Sequence, residues 1–412
     1  MWLFLLSCGS SQPSGEACAA DYQTCEVDGA SGRCLLGECQ PLPPGPAVGL
    51  GFPLADTNLR SCVGSSALGN EGMIDCPDAA GAPSCATTPG CGQDAQYGWD
   101  TEQAEGARFS VDESAEPVVR DEVTGLSWQR CALGQEGPGC EGEASLMDGF
   151  AASDACEAST WGGHTDWVLP SAGAMMSIAD YGRTGPAFDE RVFPNSPGAF
   201  PEVYDSWWID CEWTATDYAG SADVAWVLMS NSGDVSQGSG LEYHYNDRAA
   251  EGWPGCTARC VRQEPVVEHG RFLRLEPQPG EAVVADLVGQ RMWTACSLGQ
   301  SGADCAGDAQ MVDWLSALAA CEALDWGGLD DWRLPDVKEL RSLVDETRVS
   351  PAIDTDLFPN TPYYGPSTVA NVGNTWTSTA RDYNDFALYV DFGTGFSHFY
   401  IQSETRHMRC VR

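Results

Sequence analysis

The sequence predicts an α+β fold laid down twice in tandem, disulfide-rich, behind a small cysteine-rich leader. Three observations carry this. First, the 412-residue chain repeats itself at long range: WQRCALGQEGPGC at 128–140 returns as MWTACSLGQSGADC at 292–305. Cys131 and Cys296, Cys140 and Cys305, Cys156 and Cys321, Trp167 and Trp332, and the FPN triplets at Phe193 and Phe358 all stand 165 positions apart. Both copies close on RCVR, at 259–262 and 409–412, where the offset has dropped to 150, so the first copy carries about fifteen extra residues in its second half. A period this long denotes tandem domains, because solenoid units run roughly 20–50 residues. Second, each copy shows helical periodicity early and strand alternation late, the order of an α+β domain. Third, the nineteen cysteines fall into even local groups once Cys8 is set aside.

In chain order, MWLFLLSCGSS begins with a short apolar run ending at Cys8, in the manner of a lipoprotein signal with its lipid-accepting cysteine. Residues 1–8 read as a truncated signal whose start codon is expected upstream. Residues 9–46 hold a cluster of Cys18, Cys25, Cys34 and Cys39, followed by PLPPGP at 41–46, which reads as a stiff spacer. The first domain spans 52–262, including a lead-in segment with Cys62, Cys76, Cys85 and Cys91; residues 263–280 read as a linker and 281–412 as the second domain.

The second domain shows the elements most clearly. VVADLVGQRMW is extended and β-branched, as is its counterpart VVRDEVTGLSW. MVDWLSALAACEALDWGG reads as a helix with Val312, Leu315, Leu318 and Ala319 on one face, stopped by Gly327 and Gly328. After WRLP, Asp336 and Glu339 form a capping box for a shorter helix with the face Leu340, Leu343 and Val344; the first copy keeps that face as Met175, Ile178 and Ala179. Strands follow at NTWTSTA, FALYVDFG and HMRCVR, matched by EWTATD, DVAWVLMS and ARCVR. WGGLDDWRLP and WGGHTDWVLP then read as a structural corner with an inward tryptophan, its proline opening the next helix. The alternative makes Asp331 and Arg333 a ligand site, but Val168 replaces that arginine in the first copy.

A net charge of −39, from 21 basic against 60 acidic residues, repels phosphate backbones and anionic lipid surfaces, so nucleic acid is excluded as a partner. The sole lysine is Lys338. No C-x-x-C or H-x-x-x-H spacing supports zinc or thioredoxin-like chemistry, so disulfides in an oxidising compartment account for the cysteines. Even grouping pairs Cys131 with Cys140 and Cys296 with Cys305 as small loops. It pairs Cys156 with Cys260 and Cys321 with Cys410 across each domain, and Cys211 with Cys256 beside the insertion. The two N-terminal quartets leave their connectivities open.

The motifs V-x-D-x-x-T-G-L-x-W-Q, A-C-x-x-L-x-x-G-G-x-x-D-W-R-L-P-x-x-x-E-L and R-C-V-R resemble the C-terminal domain family of the Legionella collagen-like protein. The second copy matches well; the first departs at Val168 and lacks the glutamate of Glu339. FPLADTNLRSC through GQDAQYG, at 52–98, resembles the segment that often leads into this domain. The R-L-P-x-x-x-E-L corner is also similar to that of formylglycine-generating and C-type-lectin-like domains. The resemblance implies two tandem C-type-lectin-like domains, and a family adhesin that binds sulfated polysaccharide, although a chain at −39 would repel a polyanion.

No catalytic constellation is visible: G-x-S-x-G, the P-loop and G-x-G-x-x-G are all absent, so the expectation is a non-enzyme without cofactor. Calcium is the one metal a lectin-like fold suggests. The acidic loops 381–386, 353–358 and 216–223 offer oxygen ligands, without EF-hand spacing. Aromatic residues supply the binding candidates. Trp207, Trp208 and Trp213, with Tyr204 nearby, cluster in the first copy; the resemblance places Asn374, Trp376, Tyr383 and Asp385 of the second where lectin-like folds carry their binding loops. The expected protein is secreted or lipid-anchored in a bacterial envelope, as an outer-membrane lipoprotein touching the membrane only through Cys8. Its expected ligand is an extracellular glycan, adhesin-fashion, and homo-oligomers are compatible. An envelope assembly protein binding other proteins is the alternative, and an oxidase of the formylglycine type is the third reading.

Overall fold

The last strand of the first copy lies in the middle of a sheet rather than at its edge. The computed structural model describes residues 18–45 apart from 19 and 28, then 51–59, 62–64, 72–74, 76, 90–97, 108–183, 185–196, 211–221, 224–236, 255–262, 267, 269–363, 373–381 and 385–412. The leader is a three-stranded sheet of β1 (Thr24–Val27), β2 (Ala30–Leu35) and β3 (Glu38–Pro41). The lead-in contributes a hairpin of β4 (Cys62–Gly64) and β5 (Gly72–Ile74) and one 3₁₀ turn, Asp94–Gln96.

The first copy begins with β6 (Phe109–Val111), β7 (Val118–Asp121) and β8 (Ser127–Gln129). Helix α1 (Gly149–Glu157), β9 (Trp167–Val168) and helix α2 (Ala172–Ser177) follow. A separate sheet of β10 (Cys211–Asp217), β11 (Ala225–Met229) and β12 (Val235–Ser236) comes next. The closing strand β13 (Val261–Arg262) then inserts between β8 and β9, giving the order β6-β7-β8-β13-β9. The second copy repeats this. It has β14 (Phe272–Gln278), β15 (Glu281–Asp286) and β16 (Arg291–Thr294), helices α3 (Trp314–Glu322) and α4 (Val337–Arg341), and a sheet of β17 (Asn374–Ala380), β18 (Phe386–Asp391) and β19 (Ser397–Ile401). Its last residues bridge Trp293 and Arg333 through Val411. The result is an α+β, disulfide-rich, two-domain arrangement.

The five expected disulfides are present: Cys131–Cys140, Cys156–Cys260, Cys211–Cys256, Cys296–Cys305 and Cys321–Cys410. The quartets left open pair as Cys18–Cys34, Cys25–Cys39 and Cys62–Cys76, and Cys91 is also disulfide-bonded. Cys8 and Cys85 lie outside the described residues, as does the whole of segment 1–8.

Each shared motif has a structural task that is carried out twice. The aspartate of V-x-D closes a turn and grips an arginine: Asp121 binds Arg108, which donates to Ser177 O, and Asp286 binds Arg271, which donates to Ser342 O. At the W-G-G corner, Glu116 and Glu281 accept from the amides of Gly162 and Gly327, both in the left-handed region at φ +62° and +67°. A Cβ there would come within 2.7 Å of Val118 and 2.8 Å of Pro277 respectively, so only glycine fits. Trp167 and Trp332 point inward, 1 % exposed, and donate to Trp161 O and Trp326 O. In R-C-V-R, buried Arg259 and Arg409 stack on the FPN rings of Phe193 and Phe358 at 4.8 and 4.7 Å. They donate to carbonyls of 129 and 130 in the first copy and of 294 and 295 in the second. The FPN asparagines, Asn195 and Asn360, donate to Gly139 O and Asp304 O, fastening the small disulfide loops.

Several expectations need correction. The first helix is shorter than its periodic stretch: Asp313 caps it by accepting from Ser316 N, and it ends at Glu322, before Gly327. Its buried face is Trp314, Ala317, Leu318 and Cys321, because Cys321 must meet Cys410; Val312 precedes the helix and Ala319 faces solvent. The capping box at Asp336 and Glu339 forms, and Leu340, Leu343 and Val344 are buried, the last two just past the helix. Within 263–280, read as linker, Phe272–Gln278 is a strand that pairs with β15. PLPPGP does not hold the leader away: Pro41 belongs to β3 and Pro43 O accepts from Gly270 N. Leu35 is buried in the second copy's core, beside Tyr22, Leu36 and Leu42. Asp331 and Arg333 form structural ion pairs, with Arg412 and Glu339.

The two copies meet along a seam. Edge strands β12 and β19 approach so that Val235 N donates to Ser397 Oγ at 3.1 Å, and Arg381 pairs with Asp234 at 2.8 Å. Val337 and Leu388 of the second copy lie in the core cluster of the first. The lead-in touches both. Lys338 Nζ donates to Asp56 O at 2.6 Å and Ser177 O at 3.0 Å, joining all three segments. Glu339, fully buried between Arg291 and Arg333, is held down to about 2 by those guanidinium groups against the opposing effect of burial. Asp94 sits close by, accepting from Thr57 Oγ1 at 2.8 Å and Thr379 Oγ1 at 2.6 Å; burial, then the facing carboxylate of Asp56, raises it to about 7. Asp336 is also raised, by burial and then by Glu339 and Asp94.

Two expectations follow. Replacing Cys321 and Cys410 by alanine, which opens a span of 89 residues, should cost about 4–5 kcal/mol by loop entropy, against about 2–3 kcal/mol for the Cys296–Cys305 loop of 9. Urea unfolding midpoints of the two double variants measure the difference. The raised Asp94 binds its proton more tightly in the folded state, so its contribution to stability is complete below the ordinary carboxylate value and is lost as pH rises through about 7. The melting temperature should therefore fall between about pH 4 and about pH 7 and level off above, and Asp94→Asn should flatten that slope, as read by calorimetry across the range.

Candidate ligand-binding face

Because the shared residues hold the fold, the side chains present in only one copy are the candidates for function. Five charged ones gather around the second copy's corner, where Arg291, Arg333, Lys338, Glu339 and Arg341 stand in place of Leu126, Val168, Gly173, Ala174 and Met176. Arg291 and Arg333 pair with Glu339, Arg341 pairs with Glu346, and Lys338 donates to one carbonyl of the lead-in and one of the first copy. Another difference lies at the far side of the second copy. There the parallel bridge Thr375↔His407 corresponds to Glu212↔Thr257 of the first copy, so Asn374 and Arg406 stand where the first copy has Cys211 and Cys256. A covalent staple in one copy is an arginine and an asparagine in the other.

Arg406 lies within a cage of rings. Its guanidinium carbon is 4.5 Å from the centroid of Tyr389, 4.6 Å from Trp376 and 4.7 Å from Tyr400. Its backbone is fixed on both sides, N donating to Val312 O and O accepting from Val312 N. Its guanidinium nitrogens are buried among these rings, with the Tyr389 side chain as their polar neighbour. Burial lowers its pKa, opposed by Tyr389, Glu404 and Tyr400. Contacts of this kind between a desolvated cation and a ring are worth about 2 kcal/mol.

Strand register explains how the cage reaches the surface. Trp376 pairs with Tyr389, and Tyr389 with His398, so the three side chains share one face of the sheet; Tyr400, two residues beyond His398, lies on the same face. Trp376 is its buried end, at 0 % exposure, and Tyr400 its open end, at 41 %. His398 and Ile401 beside it are exposed as well. Tyr400 is thus a ring clamped from below by a guanidinium and open above. A flat apolar surface that is already immobilised loses little further freedom when a ligand stacks on it.

The residues expected to bind ligand divide sharply. Trp213 and Trp376 are core residues, not open platforms: each is at most 1 % exposed and donates its indole N–H to a carbonyl, Met147 O and Val312 O respectively. The reason is cross-strand packing against the first helix of each copy, which needs a large apolar side chain at that place. Asn374 is buried at the start of β17, where its carbonyl accepts from His407 N. Asp385 opens the approach to β18 at φ +52°, its carbonyl accepting from Gln402 N. Trp207, Trp208, Tyr204 and Tyr383 lie outside the described residues. Tyr400, His398 and Arg406 were missed, although SHFYI alternates as an edge strand with aromatic residues outward.

For calcium, the loop 353–358 folds on itself, Asp354 accepting from Asp356 N and Phe358 N. Among the described residues, the one group of three metal-ligating side chains within ligand distance is Cys18, Cys25 and Cys34, and those sulfurs are in disulfides. No helix among the described residues is long and apolar enough to cross a membrane.

No curated protein matches the chain. Residues 117–249 and 282–412, well over half of its length, match the Lcl C-terminal domain family. The second stretch is the whole second copy and the first covers the first copy up to residue 249, short of its closing strand, so the chain belongs to the Lcl C-terminal domain family, as two tandem members in one polypeptide.

Proposed function

We propose that the chain is a non-enzymatic binding protein of the cell envelope, secreted or held by a lipid on Cys8, and that it binds an extracellular glycan in adhesin-like fashion. The observation that carries this is the Tyr400 ring, open on one face and clamped on the other by Arg406. Sugar rings present flat C–H faces that stack on such a surface. The C-type-lectin-like character of each copy is part of the same reading, supported by two helices packed on antiparallel strands and by a closing strand that carries a disulfide. An extracytoplasmic location is supported by the disulfides, which persist in oxidising compartments. The formylglycine-type alternative needs a reactive cysteine pair, and all the described cysteines are disulfide-bonded. An assembly role, with protein partners on the same face, is the second reading.

The test is a panel of neutral and charged glycans against the full chain, with calcium and with chelator. Tyr400→Ala should weaken binding at least tenfold, about 1.4 kcal/mol; because it also strips one ring from buried Arg406 and lowers the melting temperature, binding is read well below the variant's own melting point. Binding that survives chelator would place the recognition on the aromatic face rather than on a metal. A panel with no specific binding overturns the glycan reading and leaves the assembly role.

A further inference from the structure

At the seam, α2 of the first copy and α4 of the second stand beside the lead-in, and a cavity of about 80 Å³ opens between them. Its apolar wall is Phe52, Leu54, Met176 and Val344; its polar wall is Lys338, Arg341 and Glu346. It lies apart from the Tyr400 face and does not rest on the glycan reading. Three features set it off from ordinary packing.

The first is charge. In a chain of net −39 this wall brings the sole lysine and a buried arginine together, three residues apart on one helix. The first copy has Gly173 and Met176 at the matching positions, so the cations are not required by the shared fold. Lys338 already donates to two carbonyls and contributes its charge.

The second is Arg341 itself, 5 % exposed. It stacks on Trp226 at 4.8 Å, and one terminal nitrogen donates to Glu346 at 2.9 Å. Its guanidinium lines the cavity and keeps N–H donors beyond the one spent on Glu346.

The third is Gly173, which lines the cavity from inside α2. It is not among the glycines with positive φ, so backbone geometry does not demand it. Glycine inside a helix is destabilising by about 1 kcal/mol relative to alanine. The absent side chain leaves the cavity open.

We propose that this cavity is a binding site for a short-chain carboxylic acid, its carboxylate accepting from Arg341 and its hydrocarbon tail lying between Phe52, Leu54, Met176 and Val344. A monoanion suits the site better than a phosphate, because Glu346 already neutralises part of the guanidinium and would repel a dianion. The volume suits a compact acid and excludes a polymer. Occupation would fill the junction of lead-in, first copy and second copy, so the ligand would strengthen the docking of all three.

Hexanoate titrated into the full chain by calorimetry is the probe, with hexanol and hexylamine as controls. Saturable hexanoate binding, at least tenfold tighter than either control, is the expected result. Arg341→Gln should weaken it at least tenfold. Because Arg341 also stacks on Trp226 and its loss can disturb the fold, Gly173→Leu provides the second variant: it fills the cavity, leaves the charges in place, and should abolish binding while the melting temperature is kept. Tyr400→Ala should bind hexanoate as the parent does. The proposal is overturned if hexanoate does not saturate at millimolar concentration, if hexanol binds equally well, or if folded Gly173→Leu binds unchanged.

Discussion

The architecture depends on holding a very short strand at the centre of a sheet. In the first copy β13 pairs β8 through Val261 and β9 through Val261 and Arg262, and nothing more. So few ladder bonds cannot by themselves hold a segment of two residues in the middle of a sheet. Three other interactions converge on the same four residues. Cys260 is tied to α1, Arg259 is driven between carbonyls and the Phe193 ring, and Arg262 pairs with Asp166 of the corner. The second copy repeats all three with Cys410, Arg409 and Arg412. The sequence RCVR is therefore a closure device, and the long-range repetition of Trp, Phe and Cys marks the groups that receive it.

The arginines in these closures differ in what surrounds them. Arg259 has Glu212 at 3.7 Å, both fully buried, and burial raises the acid while lowering the base. At the position of Glu212 the second copy has Thr375, and Arg409 relies on carbonyls, hydroxyls and a ring. A buried guanidinium is thus kept in both copies although its counter-ion is kept in one. Hydrogen-bond geometry to several backbone carbonyls, which arginine alone can satisfy in fork fashion, is the common requirement.

Much of this was legible in the sequence because duplication separates constraint from accident. Residues that recur at a fixed offset, such as Cys156 and Cys321 or Trp167 and Trp332, must serve the same contact twice, and pairing them needed only arithmetic. Periodicity was a weaker guide. It assigned Val312 and Leu315 to the buried face of α3, whereas the cap at Asp313 and the fixed direction of Cys321 turn the helix to bury Trp314 and Ala317. The strand at Phe272–Gln278 was hidden in an apparent linker because its alternation is mixed with charges, half of its face being solvated. Aromatic count misled most about the site: Trp213 and Trp376, offered as ligand-binding candidates, are core. The exposed ring is a tyrosine whose orientation depends on Arg406, a residue that no local pattern singles out.

The exchange of Cys211–Cys256 for Asn374 and Arg406 shows how the copies diverged without losing the fold. Both solutions fasten the closing segment to the start of the last sheet, and both sit beside the bridge to the residue preceding the first helix, Met147 in one copy and Val312 in the other. A disulfide does this within two small side chains and leaves the neighbouring sheet face to pack as it will. An arginine does it with a long side chain that must be covered by rings, and the covering rings have to be placed at Tyr389 and Tyr400. The second copy thereby acquired a rigid aromatic face at its surface as a consequence of the way it is closed. The copy with the smaller staple has no such demand, so the two domains share one scaffold and differ in how the closing segment is fastened and in which of them carries an aromatic face beside it.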